Sequence, residues 1–165
     1  MRPHCILVTT ALTIIACRPA PDARAPAQDT AFAAMQQRGA NVMGVDQYTS
    51  AHVFEDLPDG GRVILDRADA TDTADIATIR AHMRDIAAAF RAGDFNKPFQ
   101  VHADTVPGTA VMTARRAAIR YEVVDRPRGG AVRIRSSDPV AIAAIHKFLG
   151  FQRGAHRAAS HDSPP

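Results

Sequence analysis

The side chains with chemical promise are histidines. Of seven in the chain, His52, His82, His102 and His146 fall on four separate stretches of the region expected to fold. Imidazole suits zinc, copper, nickel or iron, and a thioether from Met43 or Met112 would tilt the choice toward copper. Asp46 or Asp104 could supply a carboxylate, either as a ligand or to orient a histidine through its second nitrogen. No HExxH occurs, and neither main helical stretch carries a histidine pair at i, i+4. Taken singly, each histidine reads as a hydrogen-bonded, half-buried side chain, and only the constellation points to a site. His156 and His161 read as part of a solvated tail.

Other chemistries find less support. Ser50, Ser136, Ser137, Ser160 and Ser163 sit in no G-x-S-x-G context. Gly60-Gly61 and Gly129-Gly130 each lie between two expected strands, whereas a phosphate cradle needs a helix N-terminus directly after it. Arg80, Arg84 and Arg91 read as the solvated face of a helix, pairing with Asp85 and its neighbours. The net charge of +3 is arginine spread among 17 acidic residues without a basic block, which argues against a nucleic-acid partner.

The elements that must position the histidines can be read from periodicity. Residues 50–57 and 62–66 form a hairpin about the turn Pro58-Asp59-Gly60-Gly61. Asp72 caps a helix on which Ile76, Ile79, Met83, Ile86 and Phe90 repeat at helical spacing, and Gly93 ends it. On that helix His82 lies roughly 70° from the centre of the apolar stripe, at about 100° per residue. Residues 99–102 read as extended, and 110–118 contain a short helical turn. Residues 119–125 and 131–135 form a second hairpin, with Ile119, Tyr121 and Val123 on one face. Asp138, followed by Pro139, caps a second helix through Ile142, Ile145, Leu149 and Gln152. Residues 31–38 make two helical turns stopped by Gly39, 40–47 are irregular, and the chain frays from Gly154.

The two hairpin-and-helix units match. Asp56-Leu57-Pro58-Asp59-Gly60-Gly61 lies over Asp125-Arg126-Pro127-Arg128-Gly129-Gly130, and Asp72, Ile76 and Ile79 lie over Asp138, Ile142 and Ile145. The expected fold is α+β: one antiparallel sheet from two ββα units (ββαββα), with two helices on one face. His52 falls where Tyr121 sits in the other unit, so it should face the helices. A chain of 165 residues suffices for one core, here alanine-padded, since only 5% of residues are aromatic.

The N-terminal region reads as an export signal. Arg2 is the positive n-region, and residues 5–16 are an apolar run too short to span a bilayer. Ile14-Ile15-Ala16-Cys17 resembles a bacterial lipobox, which implies cleavage after residue 16, lipid on Cys17, and anchorage in the outer membrane facing the periplasm. Residues 17–30, rich in Pro and Ala, read as a tether, 31–156 as a single domain, and 157–165 as a disordered tail. Cys5 would leave with the signal and Cys17 would be lipidated, so the mature domain holds no free thiol.

Met43-Gly44-Val45-Asp46-Gln47, the His52 strand with its Gly-Gly turn, Ile79-Arg80-Ala81-His82, Gly93-Asp94-Phe95, Val101-His102, Val106-Pro107-Gly108 with Met112, and Ala144-Ile145-His146-Lys147-Phe148-Leu149 with Phe151-Gln152 together resemble a family of small exported bacterial proteins of unassigned activity. Some of these carry the label "aspartate carbamoyltransferase". That activity does not suit this chain, which has no Ser-Thr-Arg-Thr phosphate motif and too few residues for a two-domain transferase. What the resemblance implies is that His52, His82, His102 and His146 belong to a shared pattern.

The combined expectation is an envelope-anchored lipoprotein binding a zinc or copper ion, or a small ligand through it. Its ligands would be His52, His82 and His102, extended by His146 or Met112, and its role capture rather than turnover. The alternatives are a non-enzymatic module that docks an envelope protein, its histidines structural, and a small hydrolase-like metalloenzyme with an open coordination position.

Overall fold

The computed structural model describes residues 24–158, with side chains from Asp29 onward. The signal segment, Cys17, the first part of the tether and His161 lie outside the described residues. Four strands, β1 (Ser50–Leu57), β2 (Gly60–Arg67), β3 (Ile119–Arg126) and β4 (Gly129–Ser136), form one antiparallel sheet in the order β1-β2-β4-β3. The helices are α1 (Arg24–Met43), α2 (Thr73–Ala92), α3 (Asn96–His102), α4 (Thr109–Ala114) and α5 (Pro139–Ala155). The fold is α+β and carries the ββαββα order.

Register shows how closely the two units correspond. Val63 of β2 pairs with Val132 of β4, its own counterpart, while Gly60 faces Arg135 and Asp66 faces Gly129. Both hairpins close alike, Leu57 opposite Gly60 and Arg126 opposite Gly129. A pseudo-two-fold axis therefore passes through the Val63–Val132 pair at the centre of the sheet.

The helices α2 and α5 each pack mainly on the other unit's hairpin, α2 across β3 and β4, α5 across β1 and β2. The glycine pairs permit this approach. A Cβ on Gly61 would collide with Leu149 Cδ1 of α5, and one on Gly130 would stand 3.0 Å from Met83 Cγ of α2. Leu149 and Met83 are themselves counterparts. Between helices and sheet lie Leu65, Ile79, Met83, Val132, Ile134, Ile145, Phe148 and Leu149, all at most 2% exposed. Burial of each such side chain contributes about 1.5–3 kcal/mol.

Helix ends follow their caps. Asp72 accepts from the Asp75 N–H at 3.1 Å and Asp138 from the Val140 N–H at 2.9 Å. Gly93 closes α2 at a φ of 82°, a conformation that favours glycine. The arginines expected on a solvated face instead clamp α2 to the β3–β4 hairpin. Arg80 donates to the Gly129 and Arg126 carbonyls at 3.1 and 2.6 Å, Arg84 to both carboxylate oxygens of Asp125, and Arg91 to the Tyr121 carbonyl at 2.9 Å. Asp85 pairs with Lys97 instead.

Three expectations are corrected. Gly39 does not stop α1, which begins at Arg24, inside the stretch read as a tether, and runs to Met43. An interior glycine costs roughly 1 kcal/mol against alanine. Here it lies against the Gln47 side chain, 3.3 Å from where a Cβ would stand, and Met35 and Met43 bury the same helix. Residues 99–102 are helical rather than extended. Asp94 accepts from the Asn96 N–H at 2.8 Å to start α3, and Pro98 sits in its first turn, where a missing N–H costs little. The chain does not fray at Gly154. The N–H groups of His156 and Ala158 donate back to the Gln152 and Arg153 carbonyls, and Arg157 lies 4.3 Å over the Phe32 ring while pairing with Asp29.

Candidate functional site: a four-histidine pocket

On the helical side of the sheet, at the β1 end, lies a cavity of about 60 Å³. His52 enters it from β1, His82 from the middle of α2, His102 from the last residue of α3 and His156 from the C-cap of α5. Met43 and Met83, Phe54, Phe90 and Phe148 supply much of the remaining wall. A volume near 60 Å³ admits an ion or a few water-sized atoms; clefts for drug-sized ligands run to about 300 Å³ or more.

Three of the rings lie close together. The His52 and His156 centroids are 4.7 Å apart, those of His102 and His156 5.1 Å. Phe54 stacks on His52 at 5.7 Å and tilts against His156 at 5.4 Å. His102 Nε2 donates to Oε1 of the buried Gln152 at 2.7 Å, which leaves Nδ1 as its lone-pair nitrogen. His156 Nδ1 is buried without a hydrogen-bond partner among the described residues. His52 and His82 hydrogen-bond no described residue through their rings.

Burial holds all four imidazoles neutral at physiological pH. Desolvation, reinforced by the neighbouring His82 and His102, lowers the pKa of His52 from 6.5 to about 4. Desolvation and the Lys97 ammonium lower His82 to about 4 as well. His102 is lowered by desolvation and Arg38, against the opposing pull of Gln152 and Asp104. His156 is lowered most, by burial and then by His52 and His102. Neutral imidazole is the form that donates a lone pair.

Pseudo-symmetry shows how unusual this cluster is within its own fold. His52, His82 and His156 occupy the places that Tyr121, Phe148 and Phe90 hold in the other half. There, Phe90 packs edge-on to Tyr121 at 5.9 Å and to Phe148 at 5.7 Å, with the Tyr121 hydroxyl buried and unpartnered among the described residues. The same scaffold thus accepts aromatic rings at these positions, and one half carries half-buried imidazoles, of which His156 keeps Nδ1 buried without a hydrogen-bond partner among the described residues. His102, on the α2–β3 connection, has no counterpart.

His146 and Met112 are placed elsewhere. His146 Nε2 donates to the Leu57 carbonyl at 3.0 Å, the same contact that its counterpart Arg80 makes with the Arg126 carbonyl. That is a helix-to-hairpin clamp. Met112 is fully buried where α4 packs on α5, outside the pocket lining. Asp46 caps the one-turn 3-10 helix Gln47–Thr49 by accepting from the Tyr48 N–H at 2.8 Å, and Asp104 accepts from the Thr105 N–H at 2.6 Å.

His156 is the residue that sequence reasoning missed. Extending the match of the two helices past Gln152 would have found it, because that alignment sets His156 on the buried Phe90. As the side chains stand, no group of three or more His, Cys, Asp or Glu among the described residues is arranged to hold a metal ion. No protein-family model, curated protein or solved structure matches the chain.

Proposed function

We propose that this domain captures a single transition-metal ion on the imidazoles of its central pocket and does not turn over a substrate. The observation that carries the reading is four neutral histidines lining, from four elements, a cavity of about 60 Å³ where three of the symmetry-related positions hold Tyr121, Phe148 and Phe90. The volume suits an ion and excludes the larger organic cofactors. His52, His82, His102 and His156 are the ligand pool, with ring rotation bringing two or three lone pairs to one point. His102 is oriented by Gln152, as a ligand histidine is commonly oriented through its other nitrogen. In the same proposal the chain works at the cell envelope, anchored by lipid on Cys17.

Elemental analysis of the purified full chain, followed by titration with zinc, copper and nickel, tests this. The expected result is one equivalent of bound metal, lost in His52→Ala and weakened in His102→Ala while the folded spectrum persists without metal. A chain that takes up none of the three, and melts at the same temperature with and without them, overturns the reading and leaves a histidine-packed interaction module. Membrane fractionation of Cys17→Ser, expected to release the chain, tests the anchorage.

A further inference from the structure

The lining of the pocket favours one ion over the others. It offers imidazoles and the thioethers of Met43 and Met83, with no carboxylate or thiolate among the lining residues. Every donor is neutral, and the wall around them is aromatic and aliphatic. The one charged group, Lys97, is paired with Asp85. Nothing in the lining would therefore neutralise the charge of a buried cation. The desolvation cost of an ion rises with the square of its charge, so a dication pays about four times the penalty of a monocation of similar size. Zn(II) and Ni(II) sites commonly offset that cost with anionic ligands or with more donors than this arrangement brings together. Soft thioether donors select Cu(I). Cu(I) also needs only two or three ligands, so a pair of imidazoles and one thioether suffices for it.

We infer that the ion is Cu(I), held between His52 and His156 with a thioether of Met43 or Met83 as the soft ligand, an assignment that rests on the metal-binding reading above. The two rings stand 4.7 Å apart, closer than His102 and His156 at 5.1 Å. A ring bound at about 2.0 Å puts its centroid about 3 Å from the metal, so two such rings lie between roughly 4.5 and 6 Å apart as the angle between them opens. His156 Nδ1, buried without a hydrogen-bond partner among the described residues, gains most from a ligand of its own. His102, 5.1 Å from His156, stands next in line as a third donor.

The experiment uses the full chain carrying Cys5→Ser and Cys17→Ser, so that no thiol competes for copper. Cu(I) is titrated anaerobically against a chromophoric chelator, and Zn(II) separately. The decisive variant is His52→Tyr/His156→Phe, which copies the Tyr121–Phe90 pair that the other half already accommodates. Tight one-to-one Cu(I) binding is expected, with Zn(II) far weaker. The double variant should lose Cu(I) affinity by more than the roughly 10- to 100-fold that loss of an outer hydrogen-bond partner costs. Met43→Leu/Met83→Leu should weaken Cu(I) while leaving any Zn(II) binding unchanged, and X-ray absorption should show a Cu–S contribution. Were the double variant unfolded, His156→Phe alone serves the same comparison. Cu(I) affinity that survives these substitutions, or tight Zn(II) binding without Cu(I) binding, overturns the inference; in the latter case the metal-binding reading stands. Failure to bind either ion overturns both.

Discussion

Acidification should destabilise this domain well before its carboxylates are protonated. His52 and His82 have folded-state pKa values near 4 against 6.5 in the unfolded chain, so below pH 6.5 the unfolded state binds more protons. Their contribution to stability is fully present above 6.5 and is lost as the pH falls toward 4. Linkage with these values gives a loss of about 2 kcal/mol per ring at pH 5, or about 4 kcal/mol for the two. At about 3 °C per kcal/mol for a domain of this size, the melting temperature should fall by roughly 12 °C between pH 7.5 and 5. His102 and His156 act in the same direction. Asp59, Asp69 and Asp72, whose pKa values are lowered, act only at still lower pH and leave this window clear. Calorimetry of the chelator-treated chain across the range is the assay. His52→Tyr/His156→Phe removes two of the four rings that act in this direction, and its melting temperature should fall clearly less than that of the wild type. A wild-type shift under about 3 °C, or a variant that shifts as much as wild type, would refute the claim that the pocket holds buried neutral imidazoles.

The remaining expectations concern the scaffold. Gly61→Ala should cost about 1–3 kcal/mol in urea denaturation, because the new methyl meets Leu149 and the Glu55 carbonyl. Gly130→Ala should cost less, since only the flexible Met83 side chain must give way, and the reverse order would count against the crossed packing of helices and hairpins. His146→Ala should lose about 1 kcal/mol of stability with the loss of its bond to the Leu57 carbonyl, yet leave metal affinity unchanged in the same titrations. Asp138→Ala should cost about 1 kcal/mol through the lost α5 cap, read from thermal melts.

Local chemistry decided the elements. The period of two in Ile119, Tyr121 and Val123 marked β3. The Asp caps before Ile76 and Ile142 marked the starts of α2 and α5, and the repeated Gly-Gly after each turn marked the hairpins. These features act through neighbours in the chain, so they can be read one after another. They also carried the repeat, which the Val63–Val132 pairing then expressed as a sheet with pseudo-two-fold register.

Tertiary structure decided what the elements face. Nothing local says that α2 lies over β3 and β4 while α5 lies over β1 and β2, because the choice is made by Met83 under Gly130 and Leu149 under Gly61, contacts between the two halves. Nor does composition say that Gly39 meets Gln47, or that Arg157 lies over Phe32 and so helps hold His156 inside. His52, His82 and His102 were recognisable as candidates from the sequence, yet their meeting in one pocket depended on that crossed packing. His146, equally plausible in sequence, was turned to a backbone carbonyl by the same geometry, and His156 took its place. A histidine's type is written in the chain; its neighbours, its burial and therefore its protonation state exist only once distant segments have closed around it.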